Sequence, residues 1–276
     1  MTIEQIILLA IVQGITEFLP ISSSGHLVLI PAFTGWPDQG QVTDVMVHVG
    51  SLFAVIAYFW CDCLKLIAGG IDLVRLRMND NSRMALYIIL ATIPAVAFGL
   101  YLKTSGLGDN LRSVEVIAWN AVIFGVLLYV ADVVGPQIKK MEDMKLPPAL
   151  IIGVAQAIAL IPGTSRSGIT MTAARFLGFE RPEAARFSFL LGIPAIAGAG
   201  AFVTLDAIES NIAISNDAIL AAVLTFFAAF AAIALLMAMV KRMSFLIFMI
   251  YRLALALVLF ALLYDWVPGF NLQLSA

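Results

Sequence analysis

The chain has 276 residues, 62% of them hydrophobic and only 12% charged, with a net charge of −2. A soluble domain carries about 25% charged residues, so there is too little polar surface here to cover one, and lipid is the remaining solvent. The near-neutral balance gives no reason to expect nucleic acid or a strongly acidic partner. Cys61 and Cys63, one residue apart, suit neither a disulfide nor a structural metal site.

In chain order, the first residues contain Glu4 and no Lys or Arg. No cleavable signal is therefore expected, and the N-terminal apolar run is retained. Residues 3–33 are broken by Phe18-Leu19-Pro20-Ile21-Ser22-Ser23-Ser24-Gly25-His26. Spans of about 17 to 25 apolar residues follow at 45–61, 85–101 and 114–131. Residues 149–179 are again broken, by Leu160-Ile161-Pro162-Gly163-Thr164-Ser165-Arg166-Ser167-Gly168, and three more spans follow at 187–204, 218–240 and 244–264. The flanks of each break are too short to cross a bilayer comfortably at 1.5 Å per residue. Each broken run reads as a re-entrant helical hairpin, the alternative being a pair of ordinary kinked spans. Non-helical backbone at that depth is tolerated only inside protein or beside a wet cavity.

Charge sets the expected topology. Twelve of the 16 Lys and Arg fall in four segments. These are 62–84 (Lys65, Arg75, Arg77, Arg83), 132–148 (Lys139, Lys140, Lys145), 175–186 (Arg175, Arg181, Arg186) and the turn with Lys241 and Arg242. Segments 34–44 and 205–217 have none, and 102–113 has Lys103 and Arg112. The positive-inside rule puts the rich set in the cytoplasm and both termini outside, in the periplasm of a two-membrane bacterium. The expected fold is an all-α polytopic membrane protein, one membrane domain over 1–276. Its halves are 1–131 and 149–264, joined by a cytoplasmic linker at 132–148. Each half is a re-entrant hairpin plus three transmembrane helices, and three being odd, the halves form an inverted-topology repeat. Gln13, Pro20 and Ser23 resemble Gln156, Pro162 and Ser165 if one gap is allowed. The hairpins are expected to meet near the membrane centre, where helix N-termini attract an anion.

Ionisable groups inside apolar runs are costly and point to function. Glu17 suits general acid/base work or metal ligation, or a structural ion pair with Arg166. Gln13, four residues earlier on the same face, can share a ligand with it. His26 follows the Ser-rich turn, as a base or as a satisfied loop histidine. Ser22, Ser23 and Ser24 are hydroxyls that His26 or Glu17 could activate. Arg166, among Gly163, Ser165, Ser167 and Thr170, suits a phosphate, although the P-loop order is absent. His48 reads as structural or interfacial, and Arg252 as snorkelling to a headgroup. These residues leave open phosphoryl chemistry on an amphiphilic substrate and transport of a phosphate-bearing solute.

The run Gln13-Gly14-Ile15-Thr16-Glu17-Phe18-Leu19-Pro20-Ile21-Ser22-Ser23-Ser24-Gly25-His26 resembles the first signature of the undecaprenyl-diphosphate phosphatase family, also called the bacitracin-resistance protein family. Pro162-Gly163-Thr164-Ser165-Arg166-Ser167-Gly168-Ile169-Thr170 resembles its second, PGxSRSxxT. The resemblance covers nearly the whole chain. It implies hydrolysis of undecaprenyl diphosphate to undecaprenyl phosphate and inorganic phosphate in the bacterial inner membrane, recycling the lipid carrier of peptidoglycan synthesis. It implies a polyprenyl diphosphate lipid as partner and Mg²⁺ or Ca²⁺ as cofactor. Glu17, His26 and Arg166 are then essential, Ser23, Ser165, Ser167 and Thr170 match other functional positions, and the site faces outward. Gln13 takes the Gln option where the family has Glu or Gln, which weakens a paired-carboxylate mechanism. Gln13 and Glu17 are the candidate metal ligands. Arg166, Ser165, Ser167, Gly163 and Thr170, with Ser22 and Ser24, are the expected diphosphate binders. Ser23 is the expected nucleophile, with His26 or Glu17 as base, and attack by activated water is the other route. The different-class alternative is a transporter or flippase of polyprenyl phosphate. Whether the chain works as a monomer or a homodimer is left open.

Overall fold

Short polar residues start the helices where the sequence supplies them. Thr2, Ser113 and Ser215 each accept a backbone N–H from the first turn that follows, and Asn79 forms a reciprocal capping box with Ser82. The computed structural model describes residues 1–37, 39–111, 113–209, 215–264 and 266. Arg112 and residues 210–214, counted among the loops above, lie outside the described residues. The helices are α1 Ile3–Phe18, α2 Ser23–Thr34, α3 Gln41–Tyr58, α4 Trp60–Val74, α5 Asp80–Ser105, α6 Leu107–Asn110 and α7 Val114–Val134. A 3₁₀ turn, Met141–Asp143, leads into α8 Leu146–Ile158, α9 Arg166–Phe176, α10 Arg181–Glu209, α11 Asn216–Met239 and α12 Leu246–Leu263.

Five of these helices, α5, α7, α10, α11 and α12, are long and apolar enough to cross a membrane, and α3 with α4 makes a sixth if that bent pair is one span. They match the expected spans to within a few residues. The exception is 62–84, expected as a loop. Residues 60–74 are helical and turn 91° from α3 at Phe59, whose backbone leaves helical geometry. Trp60, Leu64, Ile67, Ile71 and Val74 make an exposed apolar stripe at helical spacing, while Gly69 packs on the Asn81 backbone. Of the charges that suggested a loop, Lys65 lies between stripe residues of α4, while Arg75 and Arg77 follow the helix and Arg83 stands in α5.

Both broken runs fold as a short helix, a break and a second short helix. Their lengths are 16 and 12 residues for α1 and α2, and 13 and 11 for α8 and α9. The second helix of each starts from a serine in the left-handed region, Ser22 at φ 76° and Ser165 at φ 73°. Such a backbone costs a non-glycine residue about 1–3 kcal/mol and marks a conformation that its surroundings enforce. Ser22 therefore matches Ser165, where the sequence comparison had matched Ser23. With that register no gap is needed: the same separation relates Gln13 to Gln156, Ser24 to Ser167, Gly25 to Gly168 and Phe33 to Phe176.

Large apolar side chains such as Ile89, Ile93, Val96 and Leu100 point outward from α5, while Ala85, Ala91, Thr92 and Ala95 point in. Small residues inside and large ones outside suit helix packing in lipid. α1 lies against α11 and α8 against α5, while α3 packs on α10 and α7 on α12. Phe18, Phe59 and Phe189 pack together beneath the break after α1. At the other end of α7, buried Asp132 accepts from Arg175, from Arg181 at 2.6 Å and from the Phe245 N–H at 3.0 Å. Arg175 also donates to the carbonyls of Asp132, Gly135, Pro136 and Phe179. One carboxylate thus buckles the ends of α7, α9, α10 and α12 together.

Candidate active site

Helix α1 ends at Phe18, so Glu17 sits in its last turn, and α9 begins at Arg166. The two breaks bring these ends together. Arg166 Nη2 donates to Glu17 Oε1 at 2.8 Å, and Ser167 Oγ donates to the Leu19 carbonyl at 3.1 Å. Glu17 Oε2 accepts from Ser23 Oγ at 2.7 Å and from Gln13 Nε2 at 3.1 Å. The carboxylate is almost fully buried, 7% exposed. A buried charge needs this density of partners to stay ionised.

Arg166 does not present a free fork. Its Nη1 donates to the Ser188 carbonyl at 3.0 Å, and Ser188 Oγ pairs with Thr170 Oγ1 at 2.6 Å. Thr170 is buried and also bonds the Arg166 carbonyl, so its hydroxyl braces the arginine from behind. Gly192 provides the space: a Cβ there would lie 2.2 Å from Arg166 Nη1. Ser165 caps α9 by accepting the Gly168 N–H at 3.1 Å, with its Oγ 3.3 Å from that of Ser167. Ser22 and Ser24 repeat that hydroxyl pair at 3.4 Å, but the α2 N-terminus has no side-chain cap. Ser24 is exposed and Ser22 buried.

His26 stands apart from this cluster. Its Nδ1 faces the Ser22 carbonyl at 2.7 Å and must donate, which leaves Nε2 to accept from the Tyr251 hydroxyl at 2.6 Å. Among the described residues no hydrogen bond joins it to Ser23 or Glu17. The imidazole nearest the carboxylate is that of His48 on α3, whose Nε2 lies 3.5 Å from Glu17 Oε2. The sequence had assigned His48 a structural or interfacial role because it lies near the end of its span. The available signal was an ionisable residue in an otherwise apolar run.

Arg252 corrects a second reading. It does not snorkel: it is fully buried, and all five of its acceptors are main-chain carbonyls. Pro20 belongs to the first break, Gly163 and Thr164 to the second, and Asn120 and Ala121 to α7. Carbonyls at helix breaks lack intrahelical partners, and a cation there satisfies them. Gly163, at φ 85°, places its carbonyl on Arg252.

A family profile described as "Bacitracin resistance protein BacA" matches residues 6–258. This chain belongs to that family. The chain is 48% identical to an "Undecaprenyl-diphosphatase" of Erythrobacter litoralis, an alignment covering 95% of this chain and 99% of that protein. It is 48% identical to one of a Jannaschia species, over 96% and 100%, and 49% identical to one of Teredinibacter turnerae, over 94% and 99%. In this BacA family member the two signature runs recognised in the sequence carry Gln13, Glu17, Ser23 and Arg166, which form one hydrogen-bonded chain. His48, Ser188, Gly192, Tyr251 and Arg252 lie outside those runs and complete the surroundings.

Proposed function

We propose that the protein hydrolyses undecaprenyl diphosphate to undecaprenyl phosphate and inorganic phosphate, recycling the lipid carrier of peptidoglycan synthesis. The observation that carries the reading is the chain Ser23–Glu17–Arg166: a hydroxyl donating to a buried carboxylate at 2.7 Å, itself paired with a guanidinium at 2.8 Å. That is a nucleophile on its base beside a cation. The family and the names of the relatives support the substrate. A carrier that only binds and moves a polyprenyl phosphate needs the arginine but no hydroxyl held on a base, so transport is the weaker reading.

In the mechanism, Arg166 and the Ser165–Ser167 turn bind the diphosphate. Ser23 Oγ gives its proton to Glu17 and bonds to the terminal phosphorus. The bond from that phosphorus to the bridging oxygen breaks, and undecaprenyl phosphate departs, taking the proton from Glu17. Water then loses a proton to Glu17 and bonds to the phosphoserine phosphorus; the bond to Ser23 Oγ breaks, Oγ takes the proton back from Glu17, and inorganic phosphate leaves. Of the two bases considered, Glu17 is the better placed, because Tyr251 already occupies His26 Nε2. Phosphoryl transfer depends mainly on positioning and charge stabilisation.

Glu17, Gln13 and Ser23 offer oxygen donors to a divalent cation such as Mg²⁺ or Ca²⁺. The Gln13 Oε1 atom is buried with no hydrogen-bond partner, which fits a ligand role. A bound cation would neutralise diphosphate charge. The halves 1–131 and 149–264 form an inverted repeat, with both hairpins re-entrant. Support comes from the matched positive-φ backbones of Ser22 and Ser165 and from the paired contacts of α1 with α11 and α8 with α5. The charge pattern supports a cytoplasmic side carrying segments 62–84, 132–148 and 175–186, with outward termini and an outward-opening first hairpin. Impermeant labelling of a Ser24→Cys variant in intact cells is expected from outside, and labelling from the cytoplasmic side alone overturns that orientation.

The deciding experiment is phosphate release from a polyprenyl diphosphate by purified protein with a divalent cation. Release well above a Glu17→Ala control is expected, and none above it overturns the reading.

A further inference from the structure

In its neutral form His48 has one hydrogen for two acceptors. Its Nδ1 lies 2.6 Å from the main-chain carbonyl of Asp44, which can only accept, so Nδ1 carries the hydrogen. In the neutral ring Nε2 then presents a lone pair, and it presents it to Glu17 Oε2 at 3.5 Å. A carboxylate oxygen is also an acceptor, and Oε2 already takes hydrogen bonds from Ser23 Oγ and Gln13 Nε2, so the neutral ring of His48 has no hydrogen to offer the almost fully buried Glu17, 7% exposed. Either a proton on Nε2, which makes an imidazolium–carboxylate ion pair, or a metal ion satisfies that contact, and the unpartnered Gln13 oxygen beside it is what selects the ion. Arg166 does not fill that role, because it bonds the other oxygen, Oε1. Beside the pair, Gln13 is fully buried, donates Nε2 to the same Oε2 and leaves Oε1 without a partner.

We infer that His48 Nε2, Glu17 Oε2 and Gln13 Oε1 hold one divalent cation, with His48 as a ligand that the signature runs do not contain. The inference rests on the divalent-cation reading above and names its nitrogen donor. Two donors each about 2.1 Å from one ion lie roughly 3 to 3.4 Å apart, close to the separation found. Imidazole is a poor ligand for Ca²⁺ and a good one for first-row transition ions, so the set favours a cation such as Mn²⁺ over Ca²⁺. Helix α3 holds the ring in place through the Asp44 carbonyl, the usual arrangement in which the second nitrogen of a ligating histidine is itself hydrogen-bonded. His26, with Nε2 on Tyr251, is left out of the cation shell.

The chain has only two histidines, which makes the test direct. Mn²⁺ is bound to untagged, purified full-length protein in lipid nanodiscs without substrate, and pulsed electron paramagnetic resonance reads nitrogen coupling to the metal. Wild type and His26→Gln are expected to show imidazole coupling. His48→Gln is expected to bind Mn²⁺ at least about tenfold more weakly and to lose that coupling. Ca²⁺ should then displace Mn²⁺ more readily from His48→Gln than from wild type. Mn²⁺ bound without imidazole coupling, coupling lost in His26→Gln instead, or Mn²⁺ affinity unchanged by both His48→Gln and Glu17→Ala each overturns the inference. A His48→Gln variant that fails to fold leaves the wild-type and His26→Gln spectra to decide. Phosphate release measured on the same preparations reports separately on the phosphatase reading, since the spectra require no turnover.

Discussion

At the residue scale, Ser23 decides between the two hydrolytic routes. The covalent route requires Ser23→Ala to lose turnover almost completely while still binding a polyprenyl diphosphate analogue. Substantial remaining turnover makes water the nucleophile and Ser23 a ligand. Glu17→Gln keeps the shape but removes the base, and a loss of about 10² to 10⁴ in kcat is expected on either route. Arg166→Lys keeps charge but not two separated N–H donors, so it cannot serve Glu17 and the Ser188 carbonyl together. A loss on the order of 10²-fold or more is expected, and wild-type turnover there removes Arg166 from the account. Gly192→Ala tests the same arginine without touching it. The added carbon collides with Nη1, and a displacement of about 1 Å at a catalytic group costs on the order of 10²-fold. Kinetics together with unchanged helical circular dichroism read this out. Glu17, Arg166 and Ser23 were legible in the sequence because charges and serine clusters are rare in apolar runs. Ser188 and Gly192 were not, since an apolar helix holds small residues for many packing reasons.

At the element scale, the two helix breaks work as a pair tied by α12. Arg252 satisfies carbonyls from both breaks and from α7, and a buried carbonyl left unpaired costs about 1–3 kcal/mol. Arg252→Met is therefore expected to lower the thermal unfolding temperature of the purified protein by several degrees and to impair turnover. Arg252→Lys, with three donors for five acceptors, should recover only part of both. An unfolding temperature unchanged in Arg252→Met removes the bracing role. The charge of Arg252 was visible in the sequence, but its direction was not. A guanidinium on a spanning helix either reaches for headgroups or turns inward, and only the carbonyls exposed at the two breaks decide which. The bend between α3 and α4 was hidden for a related reason: Lys65, read with Arg75, Arg77 and Arg83 as a loop charge, lies in a helix that places it between the stripe residues.

At the scale of the whole molecule, Asp132 ties the end of α7 to α9, α10 and the start of α12. Removing one member of a buried ion pair costs about 3–5 kcal/mol, because the partner charge stays buried. Asp132→Ala strands Arg175, which is fully buried. A marked drop in unfolding temperature is expected, read by thermal unfolding in detergent. A drop no larger than that of an exposed control such as Asp80→Ala counts against the buckle.

The sequence by itself determined the solvent, the order of the spans and the two breaks, because each follows from local hydropathy and from proline, glycine and serine placed close together. It also determined the family, through two long signature runs. The tertiary structure decided which groups meet. Glu17 and Arg166 are far apart in the chain, and only the docking of one break on the other makes them a pair. By sequence His26 was the candidate base, and His48 read as structural or interfacial. The path of α3 past the end of α1 brings one imidazole to Glu17, while Tyr251 on α12 takes the other. Such choices depend on the relative placement of helices, a long-range property that local periodicity does not contain.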